Sequence, residues 1–446
     1  MSLPAYPEYK ESGVHWLGQV PSHWRVDRLK ASITSCRNGI WGGEPNDDED
    51  DIECVRVADF DRSRLAINRL IPTRRSVSQS ERSGRLLKRG DLLLEKSGGG
   101  EKQPVGQVVI YDRDEPAVCS NFVAKVSLAD GMVPRFWMYK HAAAYANGVN
   151  VVAIKQTSGI QNLDQSQYFD ERGAFPPQEE QLLIADFLDR ETAKIDALIA
   201  EQETLLDLLA EKRQATISHA VTRGLDPNVP MKHSGIAWLG EVPAHWTTPP
   251  LHLRYSCDLG KMLDTAKISG AHLVPYLRNT DVQWGRLNFE ALPEMDIRDA
   301  EYERFTVAQG DLLVCEGGEV GRAAVVGELP GVIGFQKALH RLRAVTAEES
   351  SRFMYYTFEW AARHGVFNGG GQATIAHLTG EQLRAYRFAK PPLAEQEAIA
   401  KFLDAAVAAL ELLRAEVLDA ISLLKERRSA LIAAVVTGKV DVRGLA

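Results

Sequence analysis

Two stretches of this chain place apolar residues three or four positions apart for far longer than an ordinary globular helix. In the first, Ile184, Phe187, Leu188, Ile195, Leu198, Ile199, Leu205, Leu206, Leu208 and Leu209 recur with charged residues between them. This is the helical period, and it predicts one amphipathic helix over 178–221. At ~1.5 Å per residue, about 40 such residues span roughly 60 Å. Gly224 and Pro227 stop it. The second stretch opens Pro391-Pro392-Leu393-Ala394-Glu395-Gln396 and predicts a helix to about Val436. Each of these two helices has an apolar stripe. Ile184, Leu188, Ile195, Leu198, Leu205 and Leu209 are expected to face Ile399, Leu403, Leu410, Leu413, Leu424 and Leu431 in a seam.

Elsewhere the pattern changes to short apolar runs separated by Gly, Asp, Asn and Ser. From 25 to 175, strands are expected at Ile52–Phe60, Asp91–Glu95, Val105–Tyr111 and Asn121–Ser127, with a helix around Pro134–Asn147. From 247 to 390, strands are expected at Leu273–Leu277, Asp311–Cys315 and Ala323–Val326, with a helix at Ser351–His364. The predicted order is a lead-in (1–24), a mixed domain (25–175), a helix (176–222), a linker with a second lead-in (223–246), a second mixed domain (247–390), a second helix (391–438) and a tail (439–446).

The order repeats because the residues repeat. Ser12-Gly-Val-His-Trp-Leu-Gly-Gln-Val-Pro-Ser-His-Trp24 returns as Ser234-Gly-Ile-Ala-Trp-Leu-Gly-Glu-Val-Pro-Ala-His-Trp246. Arg56 and Asp59 match Arg278 and Asp281, Gly90-Asp91-Leu92-Leu93 matches Gly310-Asp311-Leu312-Leu313, and Gly106 matches Gly321. Gln181, Ile184, Phe187, Leu188 and Asp189 match Gln396, Ile399, Phe402, Leu403 and Asp404, and Lys212-Arg213 pairs with Arg427-Arg428. The ends match best, and the mixed domains share only anchors. A duplicated scaffold presents two different surfaces.

Composition narrows the class. The 446 residues accommodate two or three domains of an ordinary globular protein. No apolar run approaches a membrane span, and the first residues lack a signal-peptide pattern, so a cytoplasmic protein is expected. The five cysteines form no Cys-x-x-Cys pair and are expected to be reduced, with no metal site. A net charge of −8 argues against a basic coat but leaves room for locally basic loops.

Taken together, the paired lead-ins, the two Gly-Asp-Leu-Leu elements and the two Pro-Pro-x-x-Glu-Gln…Ile-x-x-Phe-Leu-Asp helix starts resemble the specificity subunit of type I DNA restriction–modification enzymes. The resemblance covers essentially the whole chain. It implies an α+β fold: two mixed target-recognition domains joined by two long antiparallel helices that form a coiled-coil spacer, related by a pseudo-two-fold repeat. It implies that each domain reads one half of a bipartite, asymmetric site on double-stranded DNA. Methyltransferase subunits, two of them, would dock on the helices, and an endonuclease–translocase subunit would join through them. The chain itself would be a non-catalytic subunit without a cofactor. The residues agree on that last point. Neither Pro-Pro pair sits in an Asp/Asn-Pro-Pro-aromatic motif, and there is no Gly-x4-Gly-Lys-Ser/Thr loop. Asp91, Glu95 and Lys96 outline a nuclease-like set, but the equivalent Asp311, Cys315 and Glu316 lack the lysine.

The expected DNA contacts lie on glycine-rich loops, where a backbone can approach a ligand closely. In the first domain these are Lys96, Ser97 and Lys102 after one strand, and Lys155, Gln156 and Asn162 in the segment 155–162. In the second they are Arg322 in the segment 316–322, and Gln372 and His377 in 370–377. Lysine and arginine suit phosphates; Gln and Asn suit adenine edges in the major groove. Trp41, on Asn38-Gly39-Ile40-Trp41-Gly42, is a candidate stacking residue, with Lys261 in the aligned region. Arg56 and Arg278, the latter beside Asn279, are candidates for DNA contact or for an internal pair with the Asp three residues on. Trp16, Trp24, Trp238 and Trp246 are expected to be packing anchors. Two alternatives stand beside the DNA reader: a coiled-coil assembly scaffold without DNA contact, and an autonomous nuclease.

Overall fold

A computed structural model of the chain describes residues 4–157, 159–263, 269–367 and 377–445. The chain divides into two compact units, one comprising Met1–Glu203 with Asp419–Ala446, the other Thr204–Leu418. Each unit is a mixed domain with part of both long helices, and the fold is α+β. The helices run Gln178–Arg223 and Leu393–Val436, 46 and 44 residues long.

In the first unit a four-stranded antiparallel sheet has the order Val108–Ile110, Leu92–Glu95, Val123–Leu128, Ile33–Asn38. In the second unit the order is Ala323–Val325, Leu312–Cys315, Leu339–Ala344, Tyr255–Leu259, the same arrangement from equivalent residues. A three-stranded sheet accompanies each. It is built on Asp51–Val55 in the first unit and on Leu273–Leu277 in the second, with one parallel neighbour in both cases.

The Gly-Asp-Leu-Leu signature becomes the central strand because both of its faces are covered. Leu92 and Leu94 point into a core with Phe136 and Trp137 of the helix Pro134–Ala146, whereas Leu93 joins Val55, Val109 and Tyr111 on the other face. Leu312 and Val314 face the helix Ser351–Arg363, and Leu313 and Cys315 face Leu277 and Phe335. The preceding aspartates turn the chain into the strand. Asp91 Oδ2 accepts from Lys88 N at 2.7 Å, and Asp311 Oδ2 from Ala308 N at 2.7 Å.

The Pro-Pro-x-x-Glu-Gln helix starts act as clamps. Gln181 donates to Pro176 O at 3.0 Å and accepts from Val133 N at 3.0 Å, where the helix Pro134–Ala146 begins. Gln396 does the same with Pro391 O at 2.9 Å and Ser350 N at 2.9 Å. Two turns on, Asp189 accepts from Tyr139 Oη at 2.8 Å and pairs with Arg135; Asp404 accepts from Tyr356 at 2.7 Å and Arg352 at 2.8 Å.

Within each unit the long helices run antiparallel. In the first unit Ile184 and Leu188, near one helix start, share a core with Ile432, Val435 and Val436 near the other helix end. In the second unit Ile217, Ala220 and Val221 meet Ile399, Ala400 and Leu403. The expected stripe needs three corrections: Leu198, Leu205 and Leu413 are 45%, 38% and 47% exposed. The covered face instead passes through Thr192, Ile195, Ile199, Leu206 and Leu209, and through Val417 and Ile421. Leu198 and Leu205 are each one residue off this line, a rotation of about 100° around a helix of 3.6 residues per turn. Polar residues on the covered line, Thr192 and Arg428 among them, hide it from a count of leucines.

The tryptophans are the expected anchors. Trp24 and Trp246 are fully buried, Trp16 Nε1 donates to Arg172 O at 3.2 Å, and Trp238 packs on Trp360 and Phe388. His23 Nε2 lies 2.8 Å from Glu180 and His245 Nε2 lies 2.8 Å from Glu395, so both lead-ins meet a helix start in the same way. The five cysteines are free, and burial pushes each thiol up to about 11 or 12, which keeps them unreactive. No helix of the described residues is long and apolar enough to cross a membrane.

Candidate nucleic-acid interface

The glycine-rich segments of the first unit converge at one end of its four-stranded sheet. The strand Ile33–Asn38 ends there, Leu92–Glu95 ends there, and Val123–Leu128 begins there. Gly39 N donates to Val123 O at 2.9 Å and Lys96 N to Phe122 O at 2.9 Å, while Leu163 N donates to Lys96 O at 2.8 Å. The loops carrying Trp41, Lys96 and Gln156 therefore share one rim. The second unit repeats the rim: Gly260 N donates to Leu339 O at 2.9 Å and Leu378 N to Glu316 O at 2.8 Å. Gly39 and Gly260 are required by this closure, since a Cβ would stand 2.0 Å from Cys119 O and 2.2 Å from Gln336 O.

Several expected contact residues turn out to be committed inside the protein. Arg56 and Asp59 form a two-bond pair at 3.2 and 3.1 Å, and Asp59 also caps Arg56 N at 2.8 Å. Arg278 and Asp281 repeat this with three bonds of 2.8 Å. These hydrogen bonds push both guanidinium pKa values up, and the near-complete burial of each aspartate makes the pair structural. The outer edges of the two arginines stay partly exposed on the same strand end. Ser97 is buried and donates to Asn162 Oδ1 at 2.6 Å, joining the strands Ser97–Gly98 and Ile160–Leu163. Asn279 donates to Gly317 O at 2.9 Å and accepts from Arg322 at 2.9 Å, and Arg322 also reaches Glu319 at 3.4 Å. Lys155 pairs with Asp164 at 2.6 Å and Lys261 with Glu301 at 2.6 Å.

Other candidates remain presented. Lys96 is half-buried, Lys102 and Gln156 are exposed, and none has a side-chain partner among the described residues. His377 is exposed beside Gly317. Trp41 is half covered by the Arg75 guanidinium, 3.9 Å above its ring. Gln372 and most of the loop around it lie outside the described residues.

The nuclease-like set is closed by ion pairs. Asp91 pairs with Lys125 at 3.2 Å and accepts from Ser127 at 3.0 Å, and Glu95 is buried under a two-bond clasp from Arg62 at 2.9 Å. Asp311 is clasped by Arg343 at 2.7 Å. No group of three His, Cys, Asp or Glu is arranged for a metal among the described residues.

Two groups on the first rim and one in the second unit escaped the sequence reading. Asn38 accepts from Gln165 at 2.7 Å and, through its carbonyl, from Arg85 at 3.3 Å. Phe122, 46% exposed, is held beside Lys96 by its own carbonyl. In the second unit Lys337 is exposed, and its N–H donates to Lys261 O at 2.8 Å. Phe122 had a readable signal, a lone aromatic in the Ser-Asn turn between two apolar strands.

The chain is thus a duplicated mixed domain, each copy with a loop rim and with part of both long helices. The family description "Type I restriction modification DNA specificity domain" matches residues 261–422. A putative type I restriction enzyme MjaX specificity subunit from Methanocaldococcus jannaschii is 21% identical over 96% of both chains. The type I restriction enzyme EcoBI specificity subunit from Escherichia coli is 25% identical over 48% of this chain and 46% of its own. Among solved structures, the HsdS subunit from Thermoanaerobacter tengcongensis has a TM-score of 0.57 at 14% identity, covering 94% of this chain and 98% of its own. A chain from a study of type I R-M complex assembly and conformational transition has a TM-score of 0.67 at 16% identity, with the same coverage. Residues 261–422 thus match the type I DNA specificity domain family, and along nearly its whole length the chain is similar in sequence to a type I specificity subunit and in fold to an HsdS subunit.

Proposed function

We propose that this chain selects the DNA sequence for a type I restriction–modification complex, with residues 25–175 reading one half of a bipartite asymmetric site and 247–390 the other. The observation that carries this reading is the repeated rim: the same sheet end is built twice, and different side chains stand on it. One copy presents Lys96, Lys102 and Gln156, and the other presents a different set that includes His377 and Lys337. Equal frames with unequal surfaces suit two unlike half-sites at a set spacing. Lysines on the rims hold phosphates, and amides and aromatics read base edges and steps.

The chain is a non-catalytic subunit acting in the cytoplasm. Its helices dock two methyltransferase subunits, which transfer methyl groups to adenine N6, and the endonuclease–translocase joins through them. Leucines left on the helix surfaces support this docking: Leu198, Leu205, Leu208, Leu412, Leu418 and Leu423 are all exposed. A gel-shift titration of the chain co-expressed with its methyltransferase partner tests the reading. Salt-dependent binding to DNA, tighter for one bipartite sequence, is expected; assembly with the partner but no DNA affinity would make the chain a scaffold.

A further inference from the structure

A cavity of about 410 Å³ in the first unit opens between the helix Pro134–Ala146, the turn carrying Arg62 and Arg64, and segments of both long helices. Small side chains create it, because Ala142, Ala143 and Ala146 form its wall. The second unit shows what this scaffold holds when those positions are larger. Aligning the two helices places Ala142 at Glu359 and Ala146 at Arg363. The long helices place Asp196 at Glu411 and Arg428 at Arg213.

In the second unit those four residues form one ion cluster. Glu359 Oε1 pairs with Arg213 and stands 3.5 Å from Arg363 Nε, while Arg213 Nε is 3.5 Å from Glu411. Tyr355 donates to Glu359 Oε2 at 3.1 Å. Glu359 is 0% exposed, and a carboxylate removed from water requires this degree of pairing.

The first unit retains the cation and lacks the carboxylate. Arg428 binds Asp196 through Nε at 2.8 Å and Nη2 at 3.3 Å; its Nη1 has no hydrogen-bond partner among the described residues. Lys425 lines the same space, as do Arg62, held by Glu95, and Arg64, which reaches Asp61 at 3.8 Å. With Arg62 and Arg64 so paired, Arg428 and Lys425 are the cations that stand against the lining carboxylates Asp196 and Glu203.

We propose that this cavity is a receptor site for a carboxylate on an apolar stem, which takes the place that Glu359 fills in the second unit. The alanine wall accepts the stem, and Arg428 and Lys425 accept the charge. A free carboxylic acid and an acidic side chain of a bound partner chain share this chemistry.

The test is a fluorine NMR titration of the full chain with 4-fluorophenylacetate, with 4-fluorophenylacetamide as the neutral control. Saturable binding is expected, about tenfold or more tighter for the acid, because charge-assisted hydrogen bonds are the stronger class. Ala142→Glu should abolish binding while keeping or raising Tm, since it supplies the missing carboxylate from within. Ala142→Leu, which fills the space without charge, should also abolish binding, and it serves if the first variant folds poorly. Adding the methyltransferase partner separates the sources: displacement of the probe assigns the site to a partner side chain, and retention assigns it to a free acid. Equal affinity for acid and amide, binding weaker than about 10 mM, or undiminished binding by both Ala142 variants overturns the proposal.

Discussion

The indole of Trp24 lies so close to Gly438 that a Cβ on the glycine would stand 3.2 Å from Trp24 Cη2, with Pro21 Cδ nearer at 2.3 Å. The contact ties the first lead-in to the turn just past the second long helix. In the other unit Gly224, after the first long helix, would bring a Cβ to 3.2 Å from Trp246 Cζ2. Each domain thus closes on the start of the helix that follows it and on the end of the other helix. The unit of folding is not the unit of sequence repeat.

Gly438 has φ +80°, in the left-handed region. Gly438→Ala combines that strain with the clash on Pro21 and should cost about 1–3 kcal/mol. Gly444, with open space around it, gives a near-neutral control. Urea unfolding of the two variants measures the difference; equal midpoints would contradict the close packing.

Lys140 is fully buried, donates to Val436 O at 2.9 Å and lies 5.0 Å from the Trp16 ring. Burial lowers its pKa from 10.5 to about 7. A lysine depressed in the folded state binds fewer protons there than in the unfolded chain between those two values. Its destabilising effect is therefore full below about pH 7 and fades as pH rises toward 10.5. Lys140→Met should raise stability by on the order of 1–3 kcal/mol near pH 7. It should also flatten the rise in stability between pH 7 and 10. Melting curves across that range check it, and an unchanged slope would refute it.

Much of this fold is legible in the residues, and the reasons are physical. Gly-Asp-Leu-Leu reads as a strand because its leucines serve two cores at once. Both long helices read from their period, and the second, Leu393–Val436, ends where Gly438 stops it. What is not legible is rotation and partnership. Leu198 and Ile199 differ by one position, and only the seam decides which is covered. Ser97 and Asn162 find each other across 65 residues, so the sequence presents both as free polar groups where the fold makes them a hydrogen bond. Arg56 reads in the sequence equally as a DNA contact or as an internal pair, and the buried Asp59 supplies the internal partner.

That sorting separates the loop variants. Lys96→Ala with Lys102→Ala should weaken binding to every DNA sequence and reduce the slope of log affinity against log salt by about 2. Ser97→Ala should instead lower stability by about 1 kcal/mol through the lost hydrogen bond to Asn162, without altering the salt slope. Binding isotherms at several salt concentrations discriminate these; an unchanged slope in the double lysine variant would remove the first rim from the interface.

A fragment of residues 1–230 lacks Ile432, Val435 and Val436, which belong to the core of the first unit. It retains Ile217, Ala220 and Val221, their equivalents in the repeat. Two copies can supply each other's missing helix end, so the fragment should dimerise about a two-fold axis when co-expressed with the partner. Analytical ultracentrifugation at micromolar concentration should find a dimer, and methylation should fall on a palindromic bipartite site. A folded monomer would contradict the exchange of helix ends.

The most direct measurement is a genome-wide map of adenine methylation in a host carrying this chain and its methyltransferase partner, repeated with Gln156→Ala. The account predicts a bipartite asymmetric motif in the first map, and in the second a relaxed preference in one half with the other half and the spacing unchanged. A contiguous motif, or a change in both halves from this single substitution, would contradict two domains that read separately.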